Sequence, residues 1–157
     1  MSYTSEIKSE ISLNQLKPCC VKAQLAALIQ CDATLAISNH QWQLHFKTEN
    51  PTTAKRFWVL LKQQYDLTPE LAILKKVKLK KNYSYVVFIK SRVKEILEDL
   101  KLMDDAGFTD HVAYEVVKKE CCARAYLAGA FLASGSVNSP INSNYHLEIA
   151  VNEEKFA

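Results

Sequence analysis

The chain has 157 residues, 48% hydrophobic and 24% charged, with a net charge of +3, three Gly and four Pro, which fits one ordinary domain or two small repeats and excludes collagen-like and low-complexity classes. The opening MSYTSEIKSEISL is charged where a secretory leader needs an apolar run, and no uncharged stretch approaches the ~18 residues that span a bilayer. Five Cys is an odd number, so the expectation is a soluble, cytoplasmic protein with reduced thiols and no membrane partner.

In chain order, residues 19–35 (CCVKAQLAALIQCDATL) are dense in Ala and Leu without Pro and read as a helix. TLAIS and WQLHFK follow as two short strands joined by a turn near Asn39. Pro51 to Tyr65 reads as a helix, with Thr48 and Asn50 as caps and Pro51 at the first helical position. LAILKKVKLK and YSYVVFIK read as a hairpin, and SRVKEILEDLKLM as an amphipathic helix. Residues 121–137 (CCARAYLAGAFLASGSV) read as a second Ala/Leu helix, followed by the strands GSVNS and YHLEIAV.

The two Ala/Leu helices are copies at an offset of 102. Cys19/Cys121, Cys20/Cys122, Ala23/Ala125, Leu25/Leu127 and Ala26/Ala128 are identical pairs. Ala23 and Ala27, then Ala125, Gly129 and Ala133, make a small-residue stripe on each helix, which allows a close helix–helix approach. The expectation is a crossing of the copies at a pseudo-two-fold axis, with Asp32 and Ser134 delivered to one place. The alternative is that each stripe packs on its own sheet. One unit reads helix, strand, strand, helix, strand, strand, helix. The second copy stops after its second strand, so the chain reads as a fragment or a truncated form.

Leu127 to Gly135 (LAGAFLASG) resembles the LAGLIDADG motif of homing endonucleases, and Leu25 to Ala33 (LAALIQCDA) is a weaker copy. RAYLAGAFLASGSVNSP…YHLEIA and the opening TSEIKSEI resemble the bacterial WhiA family more closely. The resemblance implies an α+β, LAGLIDADG homing-endonuclease-like fold, a pseudo-two-fold repeat of αββαββα units with the second unit truncated. It divides the chain into a first repeat with an N-terminal helix over 1–118 and an incomplete second repeat over 119–157. It also implies a C-terminal helix-turn-helix domain, which has no counterpart in these residues.

LAGLIDADG nucleases place one acidic residue at the end of each motif helix, because hard cations take oxygen ligands against the scissile phosphate. The aligned positions are Asp32 and Ser134, and a neutral hydroxyl is a poor stand-in for a carboxylate. No catalytic residue, cofactor or metal site is therefore expected. The Cys residues form adjacent pairs, not CxxC, and adjacent helical Cys point in different directions, so they read as structural thiols. GxxxxGK[ST], GxGxxG and GxSxG are absent from the sequence.

The stretch from Lys75 to Lys94 holds eight basic residues and no acid, which leaves the remainder of the chain net acidic. With Lys81-Asn82 as a two-residue turn, Lys76, Lys78, Lys80, Tyr83 and Tyr85 share one sheet face, and Val77, Leu79, Val86 and Phe88 share the core face. A lysine/tyrosine face is suited to DNA phosphates, binding electrostatically and with weak sequence specificity. It is equally suited to being a solvated surface that resists aggregation.

The resemblance implies a non-catalytic DNA-binding or scaffold domain of a transcription regulator in cell division, chromosome segregation or sporulation. Its partners would be DNA and a protein partner in transcription regulation, in the bacterial cytoplasm in association with the nucleoid. The alternatives are a protein-interaction module without DNA contact of its own and a residual metal-dependent endonuclease using Asp32.

Overall fold

The computed structural model describes residues 3–75, 83–104, 107–109, 112–137 and 147–149. Its core forms where helix α2 (Pro18–Asp32) is enclosed on several sides at once. Pro18 starts α2 at a position where its missing N–H costs nothing. The helix is apolar nearly all round, as a helix enclosed by protein must be, and eleven of its fifteen residues are buried.

Strands β1 (Ala33–Ser38) and β2 (Gln41–Thr48) follow as a hairpin. Asn39 and His40 both hold positive φ, at 51° and 62°, which the tight hairpin turn demands of its two central residues. Helix α3 (Pro51–Tyr65) is capped by Asn50, whose side chain accepts from the Thr52 amide at 2.8 Å. Thr48 Oγ1 in turn accepts from the Asn50 amide at 3.1 Å. The helix spans the residues read from the sequence.

Strands β3 (Glu70–Lys75) and β4 (Tyr83–Ile89) complete an antiparallel four-stranded sheet in the order β1-β2-β4-β3. Its helix-covered face carries Leu44, Phe46, Val87 and Ile89, with Phe46 stacked on Phe57 of α3 at 4.2 Å between ring centroids. Apolar burial on this face, continuous with the buried residues of α2, α3 and α4, stabilises the fold.

Helix α4 (Val93–Asp99) is shorter than the 91–103 helix read from the sequence. Lys101 turns left-handed at φ 59°; its amide donates to the Glu98 carbonyl, and the Leu102 amide to the Leu97 carbonyl. This paired closure ends the helix, normally with Gly at the left-handed position, and lysine hid the stop signal. Strands β5 (Met103–Asp104) and β6 (Gly107–Phe108) form a small ribbon, and α5 (Tyr114–Val117) leads into α6 (Glu120–Ser134). Strands β7 (Gly135–Val137) and β8 (Leu147–Ile149) pair behind α6. The N-terminal helix α1 (Tyr3–Ile11) packs on α3, α6 and β7. Thr4 Oγ1 donates to the Val137 carbonyl and accepts from the Val137 amide, both at 3.1 Å. No helix among the described residues is long and apolar enough to cross a membrane.

Candidate nucleic-acid interface and helix crossing

Helices α2 and α6 pack on one another in the same direction, with their N-terminal ends together at the four Cys and their C-terminal ends together at Asp32 and Ser134. A Cβ added to Gly129 would lie 2.8 Å from the Gln24 carbonyl oxygen and 3.0 Å from the Ala27 Cβ, so the backbones approach closely at this point. Ala23, Ala27 and Ala125 are buried in the same seam, and Ala133 is half-buried. Hydrogen bonds from Gln24 and Tyr126 join α2 to α6, and α3 reaches each helix through Arg56 and Thr53. Gln24 Nε2 donates to the Ala125 carbonyl at 3.3 Å, and Gln24 Oε1 accepts from Arg56 Nε at 2.9 Å. The Tyr126 hydroxyl donates to Gln30 Oε1, and Thr53 Oγ1 donates to the Leu132 carbonyl.

At the C-terminal end of the crossing, Ser134 Oγ donates to Asp32 Oδ1 at 3.3 Å. The structure thus brings the two aligned positions together as a carboxylate–hydroxyl pair. Asp32 and Ala133 line a cleft of about 760 Å³ that also takes in Lys8, Tyr83 and Tyr85. Burial lowers the pKa of Lys8, and the nearby Asp32 carboxylate opposes that shift. The Lys8 ammonium lies 5.7 Å from the Phe131 ring centroid.

The placement of Tyr83, Tyr85, Val86 and Phe88 is corrected by the strand pairing, whereas Lys76, Lys78 and Lys80, with Val77, Leu79 and the Lys81-Asn82 turn, lie outside the described residues. The described ladder pairs Lys75 with Tyr83, Ile73 with Tyr85 and Leu71 with Val87, a different register from the one a two-residue turn at 81–82 imposes. Tyr83 and Tyr85 therefore stand on the helix-covered side, at the cleft, where Tyr85 packs against the core. Val86 and Phe88, read as core, stand on the opposite face beside Lys47 and His45. His45 meets the Phe88 ring edge-on at 4.8 Å, and Lys90 Nζ lies over the same ring, 5.7 Å from its centroid. The physical reason is that β4 is apolar on both faces, so its own alternation decides nothing. Its partner β2 decides, because Leu44 and Phe46 are buried whereas Lys47 is exposed.

The N-terminal end of the crossing also departs from the reading of the sequence. Cys19, Cys20, Cys121 and Cys122 bring all four Sγ atoms within 4.8 Å of one another, and Cys19 and Cys20 Sγ lie 4.0 Å apart. Adjacent helical Cys were expected to diverge. At the first turn of two co-directional helices both members of each pair reach the axis. The doubling of the Cys pair in the repeat was the signal that could have found this. Burial pushes the Cys20 thiol up to about 12 and the Cys122 thiol up to about 11, and hydrogen bonding from Cys122 lowers that of Cys19.

Residues 18–103 match the WhiA N-terminal LAGLIDADG-like domain, and residues 123–157 match the WhiA LAGLIDADG-like domain. A "Probable cell division protein WhiA" of Bacillus pumilus (strain SAFR-032) is 49% identical over 150 residues, covering 95% of this chain and 48% of the relative. The chain thus spans about half the length of the curated relatives it matches. The crystal structure of the N-terminal LAGLIDADG domain of DUF199/WhiA superposes with a TM-score of 0.69 at 20% identity, covering 98% of this chain and 68% of that one. Full-length DUF199/WhiA from Thermatoga maritima gives 0.66 at 20% identity, covering 96% and 45%. At that identity the superpositions establish the α+β LAGLIDADG-like fold alone. With more than half of its residues matched to the family's N-terminal domain, the chain belongs to the WhiA family.

Proposed function

We propose that this chain is a non-catalytic, DNA-contacting part of a bacterial regulator of transcription in cell division, working in the cytoplasm at the nucleoid. In this reading residues 1–118 form the first LAGLIDADG-like repeat, and the second begins at 119. The observation that carries the non-catalytic reading is the Ser134–Asp32 hydrogen bond. A nuclease of this type uses two carboxylates to hold a hard cation against phosphate. Here the second position is a neutral donor, already engaged with the first.

The reading of DNA contact is supported by the concentration of positive charge between Lys75 and Lys94. It is supported also by the resemblance of Leu127 to Gly135 to the LAGLIDADG motif of homing endonucleases. Charge of this kind binds phosphate without reading base edges, so binding should be steeply salt-dependent and indifferent to sequence. Each phosphate contact contributes about 0.9 to the slope of log affinity against log salt. Changing Lys76, Lys78 and Lys80 together to Gln should lower that slope by up to about 3 and weaken unrelated duplexes alike. Fluorescence anisotropy over a salt series reads both quantities, and an unchanged slope would remove the lysines from the interface.

One observation favours a second reading, a protein-interaction module. Strand β3 lies at the edge of the sheet, with Leu71, Ile73 and Leu74 exposed by 52%, 60% and 49%. A partner docked on that apolar edge would bind with little salt dependence, so the same titration separates the two readings.

A further inference from the structure

The four cysteines at the N-terminal end of the α2/α6 crossing have a geometry that their role as packed thiols does not require. Four thiolates around one zinc ion at Zn–S of about 2.3 Å stand about 3.8 Å apart at the corners of a tetrahedron. The four Sγ atoms already lie within 4.8 Å of one another, and the Cys19–Cys20 pair is at 4.0 Å. Small side-chain rotations close the remainder. The set is the soft, all-sulfur donor type that takes a thiophilic divalent ion in preference to magnesium or calcium.

A second observation is independent of the sulfur positions. Both helices present their positive ends here, and each carries a lysine, Lys17 or Lys119, at the capping position, with no side-chain capping hydrogen bond. A cation at a helix N-terminus is electrostatically unfavourable, and α2 has no acidic residue in its first turn to offset it. A zinc ion bound by four thiolates is a dianion; it supplies negative charge to both ends, of which α6 has one acidic first-turn residue, Glu120, and α2 has none. Access exists from both sides. Cys19 and Cys122 open on a cleft of about 240 Å³, and Cys20 and Cys121 on another of about 290 Å³.

We propose that Cys19, Cys20, Cys121 and Cys122 form one tetrahedral thiolate site for a zinc ion, which staples the two copies of the motif helix together at their N-terminal ends. All four positions are filled by protein, so the site is structural and leaves no place for a reacting water. Binding displaces the thiol protons to solvent and involves no change of oxidation state.

The test uses the 157-residue chain, reduced, with its five free thiols confirmed by thiol titration after denaturation, stripped of metal with a chelator and titrated with Co²⁺. The expected result is uptake of one ion per chain, with sulfur-to-metal charge-transfer absorption and the intense visible bands of tetrahedral cobalt. Zn²⁺ should then displace the cobalt and raise the unfolding temperature. Cys20→Ser and Cys122→Ser should each abolish these bands, whereas Cys31→Ala should retain them, because Cys31 is buried farther along the seam against Ala27 and Ala130. The spectrum of the parent chain reports sulfur ligation directly, so it stands even if a variant fails to fold. Absence of stoichiometric uptake by the reduced chain would overturn the proposal. So would the weak bands of an oxygen-ligated ion, or tetrahedral bands that persist without Cys20 and Cys122.

Discussion

Helices α2 and α6 are copies that share five identical residues at equivalent positions, and one of those pairs is buried very differently. Leu25 is 0% exposed, whereas its counterpart Leu127 is 58% exposed. Helix α2 meets α6 on one side and α3, β1 and β2 on others, so almost every direction from its axis meets protein. Helix α6 buries the seam toward α2, including Ala125, Gly129 and Leu132, and leaves Leu127 outside it. Burial belongs to a residue's neighbours, so a repeat in sequence need not be a repeat in energy.

The largest effect expected from this asymmetry is at the two leucines. Leu25→Ala should cost about 2–5 kcal/mol, the range for a fully enclosed leucine. Leu127→Ala should change stability by no more than about 0.5 kcal/mol. Chemical denaturation of both variants reads the difference, and equal costs would mean that the exposed face of α6 is covered in solution.

The next effect tests the seam itself. Gly129→Ala places a Cβ against the Gln24 backbone carbonyl, which cannot move aside as a side-chain tip can. A loss of about 1–3 kcal/mol is expected despite the better helix propensity of alanine. A gain in stability would mean that the helices separate easily.

A smaller effect lies outside the crossing and serves as a control on it. Lys101 holds a left-handed conformation at the end of α4, a position suited to glycine. Lys101→Gly should stabilise the chain by up to about 1 kcal/mol. The change should add to that of Gly129→Ala if the two regions are independent.

The repeat, the helix of Pro51 to Tyr65, its Asn50 cap and the Asn39 turn were legible because each has a local cause. Spacing of small residues, a capping side chain and a two-residue turn all act within a few positions. What was not legible depends on a partner strand or helix. The face of β4 is chosen by β2, since Tyr-Ser-Tyr-Val-Val-Phe-Ile offers apolar groups in both directions. The stop of α4 was hidden because lysine occupies a glycine-type position. The thiol cluster was missed because the Cys pairs were judged singly along each helix. Once two co-directional helices are aligned by their repeat, equivalent first-turn residues must converge.

The most direct test of the proposed non-catalytic role concerns the opposite end of the crossing, where Asp32 and Ser134 meet as one carboxylate and one hydroxyl. Supercoiled plasmid incubated with the purified chain and Mg²⁺ should show no nicking above a protein-free control, because Ser134 cannot supply the second anionic ligand and instead donates to Asp32 at 3.3 Å. Nicking that depends on Mg²⁺ and disappears in Asp32→Asn would contradict the account.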